Sequence, residues 1–593
     1  MSGTELISRL GTVAPRLRST RTKRAPRVVA PLLVGLVGLV GLVALFVVAP
    51  AHAARALVYP VNPVRTPAVE LTPLAIAPTN AWLESPLLRV RSCADRGRTA
   101  LVRAVAPAPI RACTLEAVAR PNDEGDYDAA PRSEPDASAE PDAFAEASAY
   151  HHVTRTFTFF ERLLGESLAG RSPLEVVVSG RLSEAFFGRD DRLVPMAGAL
   201  YLPARDDAGG PFRAYLGTER DLIWVGAAPS VDFAYDGDVV VHEAAHAVLD
   251  GGSRIHGYRR TIDGLSADPE ALAEALADYF AAVITGDPMI GEYALDGVAP
   301  ASARDLEATP PELARLTGDP HHAGVVFAGA LWSARRALSA ADAPRFDAVI
   351  AKLARRSDTP STIGMDELGA RLIEELRASA VDTSALEEAL RERRILPTPR
   401  AIVDVRPDGA LLSPAGSFLA PGTSVASDPS TRPALAPGLF QVRVAIPPGA
   451  KALRGSARLF ASRASVWGAP TGTPMALVAL VAWDAPLDWE SAEPHGVRAP
   501  LDGEVFEVAI PDGAGEAFVQ LANAGEETGS YDALSLTFLH ATASAPPEVL
   551  EASGGCAIAR RAPWSSSDEL AWFLGAVGAA LVRSRRARAP EGL

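Results

Sequence analysis

Residues Val239-Val240-Val241-His242-Glu243-Ala244-Ala245-His246-Ala247-Val248 decide how the rest of the chain is read. The spacing predicts a helix, on which side chains four residues apart lie one turn above each other on one face. His242 and His246 therefore both reach a single metal ion, and Glu243 stands beside it to act on a water bound there. Histidines at this spacing also occur on solvated helices. The metal reading needs three further parts: a third ligand, a group that orients a ligating histidine, and a donor for developing negative charge.

The motif helix is predicted to begin near Asp236 or Asp238, whose carboxylates can cap free amides, and to end before Asp250-Gly251-Gly252. Leu249 and Gly252 stand where an extended motif would need Gly and a third His, so the third ligand is not the next histidine. His256 lies beyond the glycine turn and is not read as a ligand. A second helix is predicted from Asp268-Pro269, an Asp cap followed by Pro, to about Ile284. It carries Glu270, Glu274 and Asp278 on one face. Either Glu274 is the ligand and Asp278 holds the far nitrogen of a histidine, or Glu270 is the ligand and Glu274 the orienting group. The residues alone leave both assignments open. Leu272, Leu276, Phe280 and Val283 argue for a packed helix over a solvated acidic stripe.

Around this pair the fold class reads as α+β. Tyr150, Val153, Phe157 and Phe160 form one stripe of a helix from Ala143, with His151 and His152 read as packing or surface residues. Strand-like runs follow at Leu174–Val178, Ala199–Leu202 and Leu222–Val225. Helical periodicity then covers 323–338, 346–354, 365–378 and 384–394, the last opening on a Ser384-x-x-Glu387 capping box. After Pro397-Thr398-Pro399 the period changes to two, which predicts a β-sandwich. The domain reading is a 143–397 metal-binding domain and a 398–548 β-sandwich, preceded by a 54–120 segment of unassigned role and a 121–142 acidic linker. No EF-hand register backs a calcium site in the linker, so Ca2+ is unsupported.

The ends are basic and the whole is acidic. At 593 residues and a net charge of −15, the chain is large enough for several cores and lacks the basic surface that a nucleic-acid partner requires. Six basic residues between Arg16 and Arg27, an apolar run from Val28 to Pro50 and Ala51-His52-Ala53 make residues 1–53 a secretory signal, or read otherwise an uncleaved anchor. In an exported protein Cys93 and Cys113 are placed to form a disulfide. The 549–593 tail has Gly554-Gly555-Cys556, an apolar segment Leu570–Val582 and an arginine cluster at 583–588. That segment covers only ~20 Å of a ~30 Å hydrocarbon core, which suits a sorting signal better than a permanent span.

Two resemblances extend this reading. Glu274-Ala275-Leu276-Ala277-Asp278-Tyr279-Phe280, about thirty residues after His-Glu-x-x-His, resembles the second motif of the gluzincins, specifically the thermolysin and fungalysin metallopeptidases. Tyr150-His151-His152 is similar to a helix motif of the same families. The resemblance implies a thermolysin-like two-lobed zinc peptidase over residues 143–395. In it one Zn2+ is held by His242, His246 and Glu274, Asp278 orients a histidine and Glu243 is the general base. His321 of Asp319-Pro320-His321-His322-Ala323-Gly324 is implied as the oxyanion donor, with His322 as the alternative. The sequence departs from the families at Gly198, where their substrate-binding edge strand usually has Asn, and at Val325, where many have Glu. The C-terminal tail resembles the MYXO-CTERM sorting sequence, which implies processing near Cys556 and anchoring at the cell surface. The expectation is an exported or surface-anchored peptidase acting on protein or peptide, with membrane attachment through the tail; nothing in the sequence signals an oligomeric state. The rival expectation is a surface binding protein with a zinc-binding but inactive peptidase-like domain, which the Gly198 departure motivates.

Overall fold

The computed structural model describes residues 53–550 apart from interruptions, the longer of which are 134–139, 406–417, 420–434, 463–475, 491–495 and 541–547. The expected signal sequence up to His52 and the tail from Glu551 lie outside the described residues. Among the described residues no helix is long and apolar enough to cross a membrane.

The architecture is mixed α/β. A seven-stranded sheet runs in the order Val231–Asp232, Leu222–Ala228, Leu174–Ser183, Leu88–Ala94, Thr114–Glu116, with Leu193–Pro195 and Ala199–Leu202 paired off this path. Its three central strands are parallel. Leu222–Ala228 is buried throughout and reads as a continuous apolar run, whereas Leu88–Ala94 leaves Arg89 and Arg91 half-buried. Val176, Val178, Ile223 and Val225 point into a large core shared with the helices. Val177, Leu222 and Trp224 point the other way, onto Phe212 and Tyr215 of the short helix Gly210–Leu216 and onto Cys93 and Cys113. Those two cysteines are joined as a disulfide, with their Cα atoms 5.1 Å apart.

Helix α1 is Ala143–Leu164, α2 Gly210–Leu216 and α3 Gly237–Leu249; α4 is Asp268–Thr285, α5 Glu292–Asp296 and α6 Pro320–Ala337. Ala343–Arg355, Met365–Ala378 and Ser384–Glu392 complete the set as α7, α8 and α9. At two helix starts the expected cap is not formed. Asp268 does not cap α4, because its carboxylate is taken by Arg315 and by the Met365 amide at 3.2 Å. At α9 it is Thr383, not Ser384, whose hydroxyl meets Glu387. The acidic stretch before α1 also differs at two positions. Asp126 and Asp142 are buried because their charges are matched, Asp126 by Arg55 and Asp142 by the first amides of α1 and the Tyr235 hydroxyl.

Residues ahead of α1 are woven into the same lobe. The strand Leu88–Ala94 lies inside the sheet, and the Pro60–Arg65 stretch grips the N-terminus of α3. Asn62, fully buried, donates from its amide to Asp238 at 2.7 Å and to Glu292 at 2.8 Å. Val61 accepts the Gly237 amide at 2.7 Å, and Arg65 pairs with Asp287 at 3.2 Å. Gly237 has no room for a side chain, since a Cβ there would come within 2.4 Å of both His152 and the Val61 carbonyl.

Past residue 400 helices give way to strands. A six-stranded sheet is built on Gln441–Ala445, Glu516–Asn523 and Leu477–Trp483, and a four-stranded sheet on Val505–Ala509, Ala450–Ser456 and Ser535–His540. Val442, Val481 and Val519 of the first share one apolar core with Leu453, Phe506 and Phe538 of the second.

The Asn62 grip leads to a stability prediction. Asn62→Ala removes a donor from the buried Asp238 and from the half-buried Glu292 and is expected to cost about 1–3 kcal/mol, read as a lower midpoint in thermal or denaturant unfolding. An unchanged midpoint would mean that the grip carries no stability.

Candidate metal centre

The site is assembled by three helices, α3 and α6 each packing on α4. α3 is capped by Asp236, whose Oδ1 accepts the Asp238 and Val239 amides. It places His242 and His246 one turn apart, with ring centroids 4.6 Å from each other. α4 packs beside it and brings up Glu274 and Asp278. α6 approaches α4 unusually closely because residue 324 is glycine: a Cβ there would lie 2.8 Å from the Ala271 carbonyl and 3.4 Å from the Glu274 Cβ. His321, one turn before Gly324, is thereby carried to Glu274. Asp319 starts α6, accepting the His321 amide at 2.9 Å and the His322 amide at 3.4 Å.

The charged groups form a chain from the interior to the cleft. Arg304 donates to both oxygens of Asp278, at 2.6 Å and 2.7 Å. Asp278 in turn lies 2.8 Å from His242 Nδ1. Burial disfavours the Asp278 charge, but Arg304 and His242 outweigh it and hold the carboxyl below its usual range. An ionised Asp278 only accepts, so His242 carries its proton on Nδ1 and turns the Nε2 lone pair to the cleft. There Nε2 meets Glu274 Oε2 at 3.1 Å and His246 Nε2 at 3.0 Å. His246 Nε2 is 3.5 Å and His321 Nε2 3.2 Å from the same Glu274 oxygen.

Acceptor atoms this close repel one another unless positive charge sits among them. Without a cation a proton takes that place: burial opposes it, yet the hydrogen bonds to Asp278 and Glu274 push His242 up to about 10. Glu274 is held well below the carboxylate range, burial being overcome by His321, His246 and His242. The donor set also fits zinc in size. Ligand atoms at ~2.0–2.1 Å from a tetrahedral Zn2+ stand roughly 3.3 Å from each other, and the observed separations of 3.0, 3.1 and 3.5 Å bracket that value. His242, Glu274 and His321 also offer three atoms that all lie within 4.8 Å of one another. Geometry thus admits either His246 or His321 as the second imidazole.

The remaining expected residues divide clearly. Glu243 is nearly buried and lines the same cleft as the ligand candidates, and burial raises its carboxyl despite the neighbouring histidines. His322 stays out of the cluster, with Nδ1 2.9 Å from Asp319. Glu270, the rival ligand, is occupied by the Gly257 amide at 2.7 Å. His256 lines the cleft outside the cluster, and His151 and His152 are buried in α1. The strand Ala199–Leu202 forms another wall, paired on one side with Leu222–Val225. Gly198 before it has φ 148° and its carbonyl accepts the Gly226 amide. Sequence reading missed Arg304, which has no local signal because its partner is 26 residues away. It also missed the capping role of Asp319, although Asp followed by Pro is a helix-start signal.

No model of a known protein family matches the chain, and no curated protein does. Among solved structures, the precursor of protealysin, a metalloproteinase from Serratia proteamaculans, is similar at 14% identity over 52% of this chain and 87% of that one, with a TM-score of 0.32. A likeness of that depth fixes neither fold nor activity, and the site rests on its own geometry.

The chain from Arg304 to His242 generates a metal prediction. Asp278→Asn keeps the shape but removes the charge that fixes the imidazole, and zinc affinity is expected to fall about 10–100-fold in competition with a chromogenic chelator. Equal affinity for wild type and variant would show that Asp278 does not orient a ligand.

Proposed function

We propose that the chain is an exported zinc-dependent metallopeptidase that hydrolyses internal peptide bonds. The observation that carries this reading is the meeting of His242, His246, Glu274 and His321 at one point of a cleft that also holds Glu243. His242, His246 and Glu274 would hold the metal, which when bound supplies Lewis acidity to a water and to a carbonyl oxygen. Glu243, buried beside it, takes the proton from the water and delivers it to the leaving amine. Its raised affinity for a proton suits both halves of that exchange. His321 stands across the cleft with Nε2 facing Glu274 and donates to the oxyanion as it develops. Asp319, 3.6 Å from His321 Nδ1, favours the tautomer or charge state with a proton there. Asp278 and Arg304 keep the ligating face of His242 turned to the cleft.

Ala199, Leu200 and Tyr201 line the same cleft from a strand paired with Leu222–Val225, which supports binding of an extended polypeptide by strand addition. Gly198 gives the rival reading its footing: with no side chain there, the substrate loses one anchoring group, and a protein that binds polypeptide without cutting it fits the same walls. Export is supported by the disulfide and by the signal-like residues 1–53. Processing near Cys556 and anchoring at the surface rest on the tail sequence.

Glu243→Gln separates the two readings. The variant is expected to keep about one zinc per chain and to lose about 10²–10⁴-fold in kcat on an unstructured protein, and wild-type cleavage is expected to stop on adding a chelator and return with zinc. A wild type without chelator-sensitive cleavage would leave the binding protein as the correct reading.

A further inference from the structure

Ile255, early in the link between the two metal-bearing helices, packs in their core, but the second half of the link does not. It is a hairpin, Arg259–Thr261 paired with Gly264–Ser266, whose tip Ile262-Asp263 is enclosed by the C-terminal β region. Leu265 and Ala267 belong to the core of that region, together with Phe440, Val442 and Val519, and not to the helical core.

The enclosure is a socket of matched polar groups. The Asp263 carbonyl accepts from Gln520 Nε2 at 2.9 Å and Gln441 Nε2 at 3.3 Å, and both glutamines are buried. Their orientation is fixed from behind. Gln520 Oε1 accepts the Trp489 indole N–H at 2.6 Å, and Gln441 Oε1 accepts the Leu487 amide at 2.8 Å. The Ile262 carbonyl accepts the Trp489 amide at 3.0 Å, and the Leu265 amide donates to Gly438 at 3.0 Å. The Asp263 carboxylate takes the Ala401 amide at 2.7 Å and Arg400 Nε at 2.5 Å. Gly264 closes the fit: its φ is +135°, and a Cβ there would lie 2.5 Å from Gln520 Nε2 and 2.6 Å from the Gly438 carbonyl.

Between the end of α3 and this hairpin run Arg254, Ile255 and His256, which form a wall of the cleft. That wall follows α3 and is pinned from the helical side by Ile255 in the core, by the Ser361 carbonyl on the His256 amide at 2.8 Å and by Glu270 on the Gly257 amide at 2.7 Å, and its far end runs into the socketed hairpin. We propose that the C-terminal β region, through Asp263, Gly264, Gln441 and Gln520, positions the Arg254–His256 wall of the substrate cleft and thereby sets polypeptide affinity. These are positioning residues, since none touches the metal ligands or Glu243. The inference rests on the cleft being the peptide-binding site, but it concerns binding and is separable from cleavage.

The test is made in the full chain carrying Glu243→Gln, so that binding is read without turnover, with casein as the unstructured probe. Gly264→Val in that background is expected to retain the zinc content, because α3 and α4 pack directly on each other. It is expected to weaken casein binding about 10–100-fold and to raise amide hydrogen exchange across 254–258. In the otherwise wild-type chain the same substitution raises KM by a similar factor while kcat stays nearly constant. Opened exchange across 254–266 with unchanged casein binding would overturn the proposal. If Gly264→Val does not fold, Gln520→Ala, which removes the amide that bridges the Asp263 and Gly438 carbonyls and accepts the Trp489 indole, is expected to give a weaker loss in the same direction, and unchanged affinity there would overturn it equally. If no casein binding is found even before the socket is altered, it is the peptide-cleft reading that fails.

Discussion

The hydrogen bond between His242 Nδ1 and Asp278 is the contact on which the site depends. It joins the second helix of the pair to the first, fixes the imidazole tautomer, and commits the opposite nitrogen to the cleft. Burying that carboxylate is costly unless it is paired, and Arg304 supplies the pairing from a short strand beyond α5. Loss of either partner would leave an unmatched buried charge a few ångströms from the ligand atoms. The site and the packing of α3 on α4 are therefore one structure.

Everything near this bond serves to bring helices close. Asp236 caps α3, Gly237 lets the N-terminal segment lie across its start, and Gly324 lets α6 touch α4 at the level of Glu274. The small residues along α4, Ala271, Ala275 and Ala277, are fully buried for the same reason. The outcome is a cleft in which four ionisable side chains meet at hydrogen-bond distance with too few protons to satisfy them. A bound cation would resolve that conflict, and Glu243 lines the same cleft with its side chain buried.

Much of this was legible in the sequence because it is local. Spacing of four placed His242 over His246 and Glu274 under Asp278, and alternating or helical periodicity located most helices and the central strands. The resemblance to gluzincins chose Glu274 over Glu270, a choice the residues left open; in the structure it is Glu274 that stands against the imidazole nitrogens, while Glu270 accepts the Gly257 amide. What stayed hidden is long-range. Asn62 reaches 176 residues along the chain to Asp238, and the socket of Asp263 is built from residues more than a hundred positions later. Asp268 reads as a helix cap, but Arg315 and the Met365 amide hold it elsewhere, a tertiary preference over a local one.

The central claim is that α3 and α4 together hold a metal. Crystals of the zinc-loaded protein, measured on both sides of the zinc absorption edge, test it most directly. The account predicts one strong anomalous peak in the cleft, bonded to His242, His246 and Glu274, with His321 nearby but unbonded. A map with no peak between α3 and α4, or a peak bonded to His321 with His246 turned away, would contradict it.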